Sequence, residues 1–267
     1  MSKEFAAGFP KDENGWLLFP RDVEYRRNLF LPEVFEHPAK ANMFLTESLI
    51  EYLSEPGETV LDPFGGTGTT MLAALLGRPV IMIDVEPQFC QMMEETAIWW
   101  RKRGLIPEEP IVSIVQKDCR QALPLVCNAI ITSPPYSQAL GGGTGLKDVG
   151  KGVKDASLRA YSGDAASALN LGRLNPFLFE KAMDKVFEKL AQSLIQGGSM
   201  AVIVKDFIKG GERFLLSDGI IRQAQRNGFA FVEWYKWATP GTAQRKLMKS
   251  KGSRVIEDED ILIFRKA

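Results

Sequence analysis

Between Glu58 and Leu76 the chain reads as a short strand, a glycine turn and a helix, and this stretch narrows the fold more than any other. Glu58-Thr59-Val60-Leu61 is an apolar run with a β-branched residue, as expected of a buried strand. Asp62-Pro63-Phe64-Gly65-Gly66-Thr67-Gly68-Thr69-Thr70 follows, and then Met71-Leu72-Ala73-Ala74-Leu75-Leu76, good helix formers. Strand, glycine turn and helix open a doubly wound α/β sheet, which binds ligands at the carboxyl ends of its strands. Glycine lets the backbone turn sharply and approach a ligand because no Cβ intervenes. Thr69 and Thr70 are placed to cap the helix. The spacing is neither G-x-G-x-x-G nor G-x-x-x-x-G-K-[ST], which disfavours dinucleotides and nucleoside triphosphates.

The rest of the chain supplies the elements such a sheet needs. Phe44 to Leu53 has apolar residues at helical spacing and ends at Ser54-Glu55-Pro56-Gly57. Pro79 to Ile83 reads as the second strand and runs into Asp84-Val85-Glu86-Pro87. An acid there can accept bonds from both hydroxyls of a ribose. Asp84 ends the apolar run directly and is the first candidate; Glu86 is the second, or caps the helix that starts near Pro87. Ile111 to Val115 is a third strand, followed by Lys117-Asp118-Cys119-Arg120, where Asp118 reads as a helix N-cap. Asn128 to Thr132 is the fourth strand, and Ser133-Pro134-Pro135-Tyr136 leaves it. A helix from Asn175 to about Leu194, a strand from Ser199 to Val204, a helix from about Leu215 to Arg226 and strands at Phe229 to Trp237 and Ile261 to Phe264 complete the set.

The two punctuated stretches, Asp62 to Thr70 and Ser133 to Tyr136, together resemble the amino-methyltransferases, which use S-adenosylmethionine to methylate the exocyclic amine of adenine or cytosine in DNA. The resemblance implies a Rossmann-like class I methyltransferase fold: a mostly parallel seven-stranded sheet with an antiparallel edge strand and helices on both faces. In that family the first motif holds the cofactor, which assigns Asp62, Phe64, Gly65, Gly66, Thr67, Gly68 and Thr69 to it. The acid after the second strand takes the ribose, matching Asp84 with Val85 beside it, and the acid after the third takes the adenine amine, matching Asp118 with the Cys119 amide. His37-Pro38-Ala39-Lys40 is similar to a family segment over the methionine end, which makes Lys40 and Asn42 further cofactor candidates and His37 a structural residue. Ser133, Pro134, Pro135 and Tyr136 form the base-binding and catalytic loop. Family members with Ser at its first position are mostly N4-cytosine enzymes, and those with Asp mostly N6-adenine enzymes. The expectation here is an N4-cytosine enzyme, with N6-adenine and transfer RNA guanine-N2 methylation as alternatives. Methylation at cytosine C5 takes a Pro-Cys pair, whereas Cys90, Cys119 and Cys127 follow Phe89, Asp118 and Val126.

Lys+Arg 33 against Asp+Glu 33 leaves no net charge, so a nucleic acid must be held by a local patch. The stretch from Ala238 to Asp260 holds Arg245, Lys246, Lys249, Lys251 and Arg254 and is the most basic of the chain. These five are the candidate phosphate contacts on double-stranded DNA with the target base flipped out. Glu257 to Asp260 would offset them if the stretch is a solvated loop. The Gly- and Ser-rich residues 137–174 read as a flexible insertion, and residues 1–36 as an irregular arm packed by its aromatics, with the first dozen loose at most. The whole reads as one methyltransferase domain, 1–267. A single histidine and no CxxC pair leave no metal site in view. Unpaired thiols, no secretory leader and no apolar span give a cytoplasmic protein with no membrane partner, monomeric or dimeric, with a cognate restriction endonuclease as a further partner.

Overall fold

The computed structural model describes residues 3–36, 40–135, 171–209 and 211–267 of the 267-residue chain. In chain order the elements are α1 (Val23–Leu29), α2 (Met43–Leu53), β1 (Val60–Asp62), α3 (Leu72–Leu75), β2 (Val80–Asp84), α4 (Pro87–Lys102), β3 (Val112–Gln116), α5 (Cys119–Ala122) and β4 (Cys127–Thr132). Then come α6 (Pro176–Ser193), β5 (Leu194–Val204), β6 (Phe207–Lys209), β7 (Glu212–Phe214), α7 (Leu216–Arg226), β8 (Phe229–Ala238), α8 (Ala243–Ser250) and β9 (Asp258–Lys266). Seven strands form one sheet in the order β3-β2-β1-β4-β5-β9-β8, and β6 and β7 form a separate hairpin. All neighbours pair parallel except β9, which runs against both β5 and β8. The sheet is thus the one expected of a class I methyltransferase, with the reversed strand one place in from the edge.

The alternation of a strand sorts the core into two layers. Val60, Val80, Met82, Ala129, Ile131, Ala201 and Ile203 face one layer with α2, α3, α4 and the N-terminal arm. Leu61, Ile83, Ile130, Met200, Val202 and Leu262 face the other with α6 and α7. Helix α6 starts as the sequence dictates: Asn175 Oδ1 accepts from the Leu178 amide at 2.9 Å, with Pro176 at the first helical position. No helix among the described residues is long and apolar enough to cross a membrane.

The arm is more ordered than its composition suggests. It contains α1, and even its first dozen residues are fastened: the buried Phe5 packs on Tyr52 and Tyr235 at centroid distances of 5.6 and 4.9 Å. Leu17 bonds with the edge strand, its amide to Lys236 O at 2.8 Å and its carbonyl from Ala238 N at 3.0 Å. The expected insertion also ends earlier, since Leu171 is already buried against the α6 layer. Residues 137–170 lie outside the described part.

One side chain ties the carboxyl ends of β1 and β4 together. Asp62 is buried; its Oδ1 accepts from the Phe64 amide at 3.0 Å and from Thr132 Oγ1 at 2.9 Å, and its Oδ2 from Thr70 Oγ1 at 2.7 Å. Burial pushes its carboxyl up to about 6, against the pull of those three bonds. A raised folded value means stability that is complete below the unfolded value of 3.8 and is lost as pH climbs through about 6. Between pH 4 and 7 the wild-type unfolding free energy is therefore expected to fall by roughly 2 kcal/mol relative to Asp62→Asn. Urea unfolding of the two proteins across that range measures this, and parallel pH profiles would refute it.

Candidate active site

The carboxyl ends of β1, β2, β3 and β4 lie on one rim because these strands are parallel, and the glycine turn, Asp84, Asp118 and Ser133 stand at or just after those ends. The turn after β1 is fixed on both sides. The Gly65 amide donates to Ile83 O at the end of β2, at 2.8 Å, and the Gly66 amide donates to Asp84 Oδ2 at 2.7 Å. Gly68 has φ +85, and a Cβ there would stand 2.8 Å from both Met71 Sδ and Met93 Cγ, so only glycine fits. The threonines do not cap the helix as expected. Gly68 takes the cap position, with no side-chain cap bond; Thr70 turns to Asp62, and Thr69 Oγ1 accepts from Arg26 Nη1 at 3.1 Å. The fixed backbone of the turn has replaced a capping hydroxyl.

Asp84 is half-buried beside this turn. Its Oδ1 accepts from the Glu86 amide at 2.9 Å, so each carboxylate oxygen has one backbone partner and keeps a second lone pair for a hydroxyl. Burial is the main cause that pushes it up to about 6, and Glu86 and Asp62 add to the rise. Glu86 is buried and stands at the N-cap of α4 without making a side-chain cap bond. Of the two acids, only Asp84 holds the glycine turn. Val85 follows it in the same bend.

Asp118 caps α5, accepting from the Arg120 amide at 2.9 Å, and Arg120 Nε and Nη2 close on the same carboxylate at 3.0 and 2.5 Å. The buried acid is thus covered by the half-buried Arg120. Cys119 opens α5; its thiol is buried and pushed up to about 12, mostly by burial, as are those of Cys90 and Cys127. The structure turns Asn42 away from any ligand: Oδ1 caps α2 at Leu45 N, 3.1 Å, and Nδ2 donates to Pro20 O at 2.9 Å. Lys40 is half-buried next to Arg26 and donates to Phe35 O at 3.4 Å. Its proton affinity is lowered by burial first and by the Arg26 charge second.

Ser133 is exposed and Pro134 buried immediately after Thr132. The Asp62–Thr132 bond therefore holds the start of this loop against the start of the glycine turn. His37 and Tyr136 lie outside the described residues. The basic stretch is shorter than expected, since Ala238 ends β8 and Asp258 to Asp260 begin β9. The acids do not offset it in solvent. Asp258 and Asp260 are buried and hold Lys236 Nζ at 2.6 and 2.5 Å, because alternation points both into the sheet. Arg245 braces the neck of the segment, donating to Thr239 Oγ1 at 2.7 Å and to the Pro240 carbonyl. Lys249 pairs with Glu257 at 2.6 Å, and Lys246, Lys251 and Arg254 are exposed.

Arg26 went unnoticed in the sequence. It is 1% exposed, and besides Thr69 it binds Asp22 Oδ2 and Ala41 O, both at 2.7 Å. Its helix carries Glu24, Arg26 and Arg27 within four residues, and nothing in that run marks which cation is internal.

A family model described as DNA methylase matches residues 11–95, a span that holds the arm from Lys11 onward, α2, the glycine turn and Asp84. The type II methyltransferase M.BglI of Bacillus subtilis is 45% identical over 58 residues, 21% of this chain and 17% of that protein. Among solved structures, magnesium protoporphyrin IX methyltransferase of Synechocystis PCC 6803, with bound SAH, shares 11% identity at a TM-score of 0.51, over 91% of this chain and 92% of that one. The [4+2]-cyclase SpnF shares 17% at 0.50, over 84% and 80%. Two such different enzymes on one sheet show that the likeness fixes the fold and leaves the substrate to the loops. Residues 11–95 are thus similar to the DNA methylases, and the sheet that carries them has the class I methyltransferase fold.

Proposed function

We propose that this protein methylates the exocyclic N4 amine of cytosine in DNA, the base being turned out of the duplex to reach the rim. The observation that carries the proposal is the double grip of Asp62, which sets the cofactor turn at Thr70 beside the loop that follows Thr132. S-adenosylmethionine supplies an electrophilic methyl group. The turn from Gly65 to Thr69 would suit a ligand lying along its backbone, because Gly66, held by Asp84, has only the Phe64 carbonyl within 4 Å of where a Cβ would stand. Asp84 has lone pairs for the two ribose hydroxyls, and Asp118 with the Cys119 amide would meet the adenine once Arg120, which covers the carboxylate, moves aside. Lys40 lies on the arm side of the turn, where the methionine end would sit.

The amine of cytosine is a weak nucleophile because its lone pair is delocalised into the ring. Two acceptors aimed at its two N–H bonds favour the pyramidal nitrogen that attacks. Ser133 Oγ and the Pro134 carbonyl are such acceptors, and consecutive prolines fix φ so that the loop is shaped in advance. Tyr136 offers a face for the base to stack on, worth about 1–3 kcal/mol. Serine at position 133 supports cytosine over adenine through the resemblance alone, since Ser-first members of the family are mostly N4-cytosine enzymes; its hydroxyl can accept from the amine of either base. Phosphates would meet Lys246, Lys251 and Arg254, with Arg245 and Lys249 shaping the segment that presents them.

Incubation with labelled S-adenosylmethionine and either DNA or transfer RNA, followed by nucleoside mass spectrometry, tests the reading. N4-methylcytosine in DNA is expected; N6-methyladenine would replace the base assignment, and label in transfer RNA alone would end the DNA assignment. Ser133→Ala is expected to lower kcat about tenfold or more with the cofactor Kd unchanged. An unaltered kcat removes Ser133 from the chemistry. Ribose hydroxyls bind the ionised carboxylate, so the cofactor Kd of the wild type should rise as pH falls below about 6. Asp84→Asn should bind weakly at every pH and lose that dependence; calorimetric titration reads both, and a wild-type-like profile in the variant would return the ribose role to Glu86.

A further inference from the structure

The carboxyl rim of the sheet carries one more element, which the chemistry above leaves unused. Strands β4 and β5 are parallel, with Thr132 beside Val202, so Ser133 and Pro134 leave the sheet next to Ile203 and Val204. The hairpin β6–β7 follows at once, at Phe207. Strand β9 pairs next to β5 and runs the other way, so its start, and the basic segment before it, also lie at this rim. In space the order is glycine turn, Ser-Pro-Pro loop, hairpin, basic segment. A strand of nucleic acid with one base at Ser133 and its phosphates at Lys246, Lys251 and Arg254 must pass the hairpin.

The hairpin is held rigidly and offers an aromatic face. Arg213 Nε donates to Asp206 Oδ2 at 2.7 Å, and its Nη1 and Nη2 donate to Asp258 at 2.9 and 2.6 Å. Asp206, Asp258 and Asp260 are each at most 3% exposed. Burying so many charges contributes little net stability but fixes geometry, and here it fastens the hairpin to both β5 and β9. Outside this anchor, Phe207 and Phe214 stack at 4.8 Å with an interplanar angle of 27°. Phe214 is 44% and Leu215 47% exposed.

We propose that the Phe207–Phe214 hairpin is a DNA-binding surface, and that the exposed ring of Phe214 stacks on a nucleotide flanking the extruded base. An aromatic face suits any base, so the contact adds affinity without a fixed sequence. The inference rests on the DNA-methyltransferase reading and deepens it. Anisotropy with a fluorescent oligonucleotide, at fixed salt, compares the wild type with Phe214→Leu and Phe214→Trp. Leucine keeps apolar cover on Phe207 without a ring, and tryptophan keeps a ring. The expected result is binding about tenfold weaker for leucine and undiminished for tryptophan, with S-adenosylmethionine affinity and melting temperature unchanged in both. Wild-type affinity in the leucine variant overturns the hairpin's role while leaving the methyltransferase reading intact. A wild-type protein that binds no DNA overturns both.

Discussion

A buried carboxylate with hydroxyl and amide donors around it decides where this protein's loops can go. Asp62 stands at the end of β1, the central strand of the parallel half, and grips the glycine turn through Phe64 N and Thr70 and the neighbouring strand through Thr132. Removing a charge from water is unfavourable, and the raised proton affinity of Asp62 records that. The arrangement persists because three donors converge on it, and that convergence sets the relative position of two motifs far apart in the chain. The same device recurs one strand along, where Asp84 accepts from Gly66 and Glu86.

A second network works at the other end of the rim. Asp206, Asp258 and Asp260 with Arg213 and Lys236 join β5, the hairpin, β8 and β9. Between these two polar anchors the sheet is apolar on both faces, as a parallel sheet covered by helices must be. The rim is therefore where charge and backbone turns concentrate. The N-terminal arm closes the outer side, reaching the glycine turn through Arg26 and the edge strand through Leu17.

Much of this was legible beforehand, and for physical reasons. Strands β1 to β4 announced themselves as short apolar runs ending in turn residues, and α6 by its Asn-Pro start. The roles of individual polar side chains were harder to read. Thr69 and Thr70 look like helix caps by position, yet their hydroxyls point to Arg26 and Asp62. Asn42 looked like a ligand-facing residue and is a cap. Asp258 and Asp260 looked like solvent charges, although their i, i+2 spacing, opposite Ala238 and Lys236, puts them on one strand face.

Local chemistry in the sequence determined which segments become strand, turn and helix, where glycine is obligatory, and which motifs point to a methyl donor and an amine. Hydrophobic periodicity and backbone sterics act over a few residues, so they can be read from the chain directly. Tertiary structure alone decided which charges are internal, which partners they take, and that the hairpin stands between the Ser-Pro-Pro loop and the basic segment. Those outcomes depend on strand order and on side chains meeting across dozens of residues, and one-dimensional spacing contains no measure of that proximity.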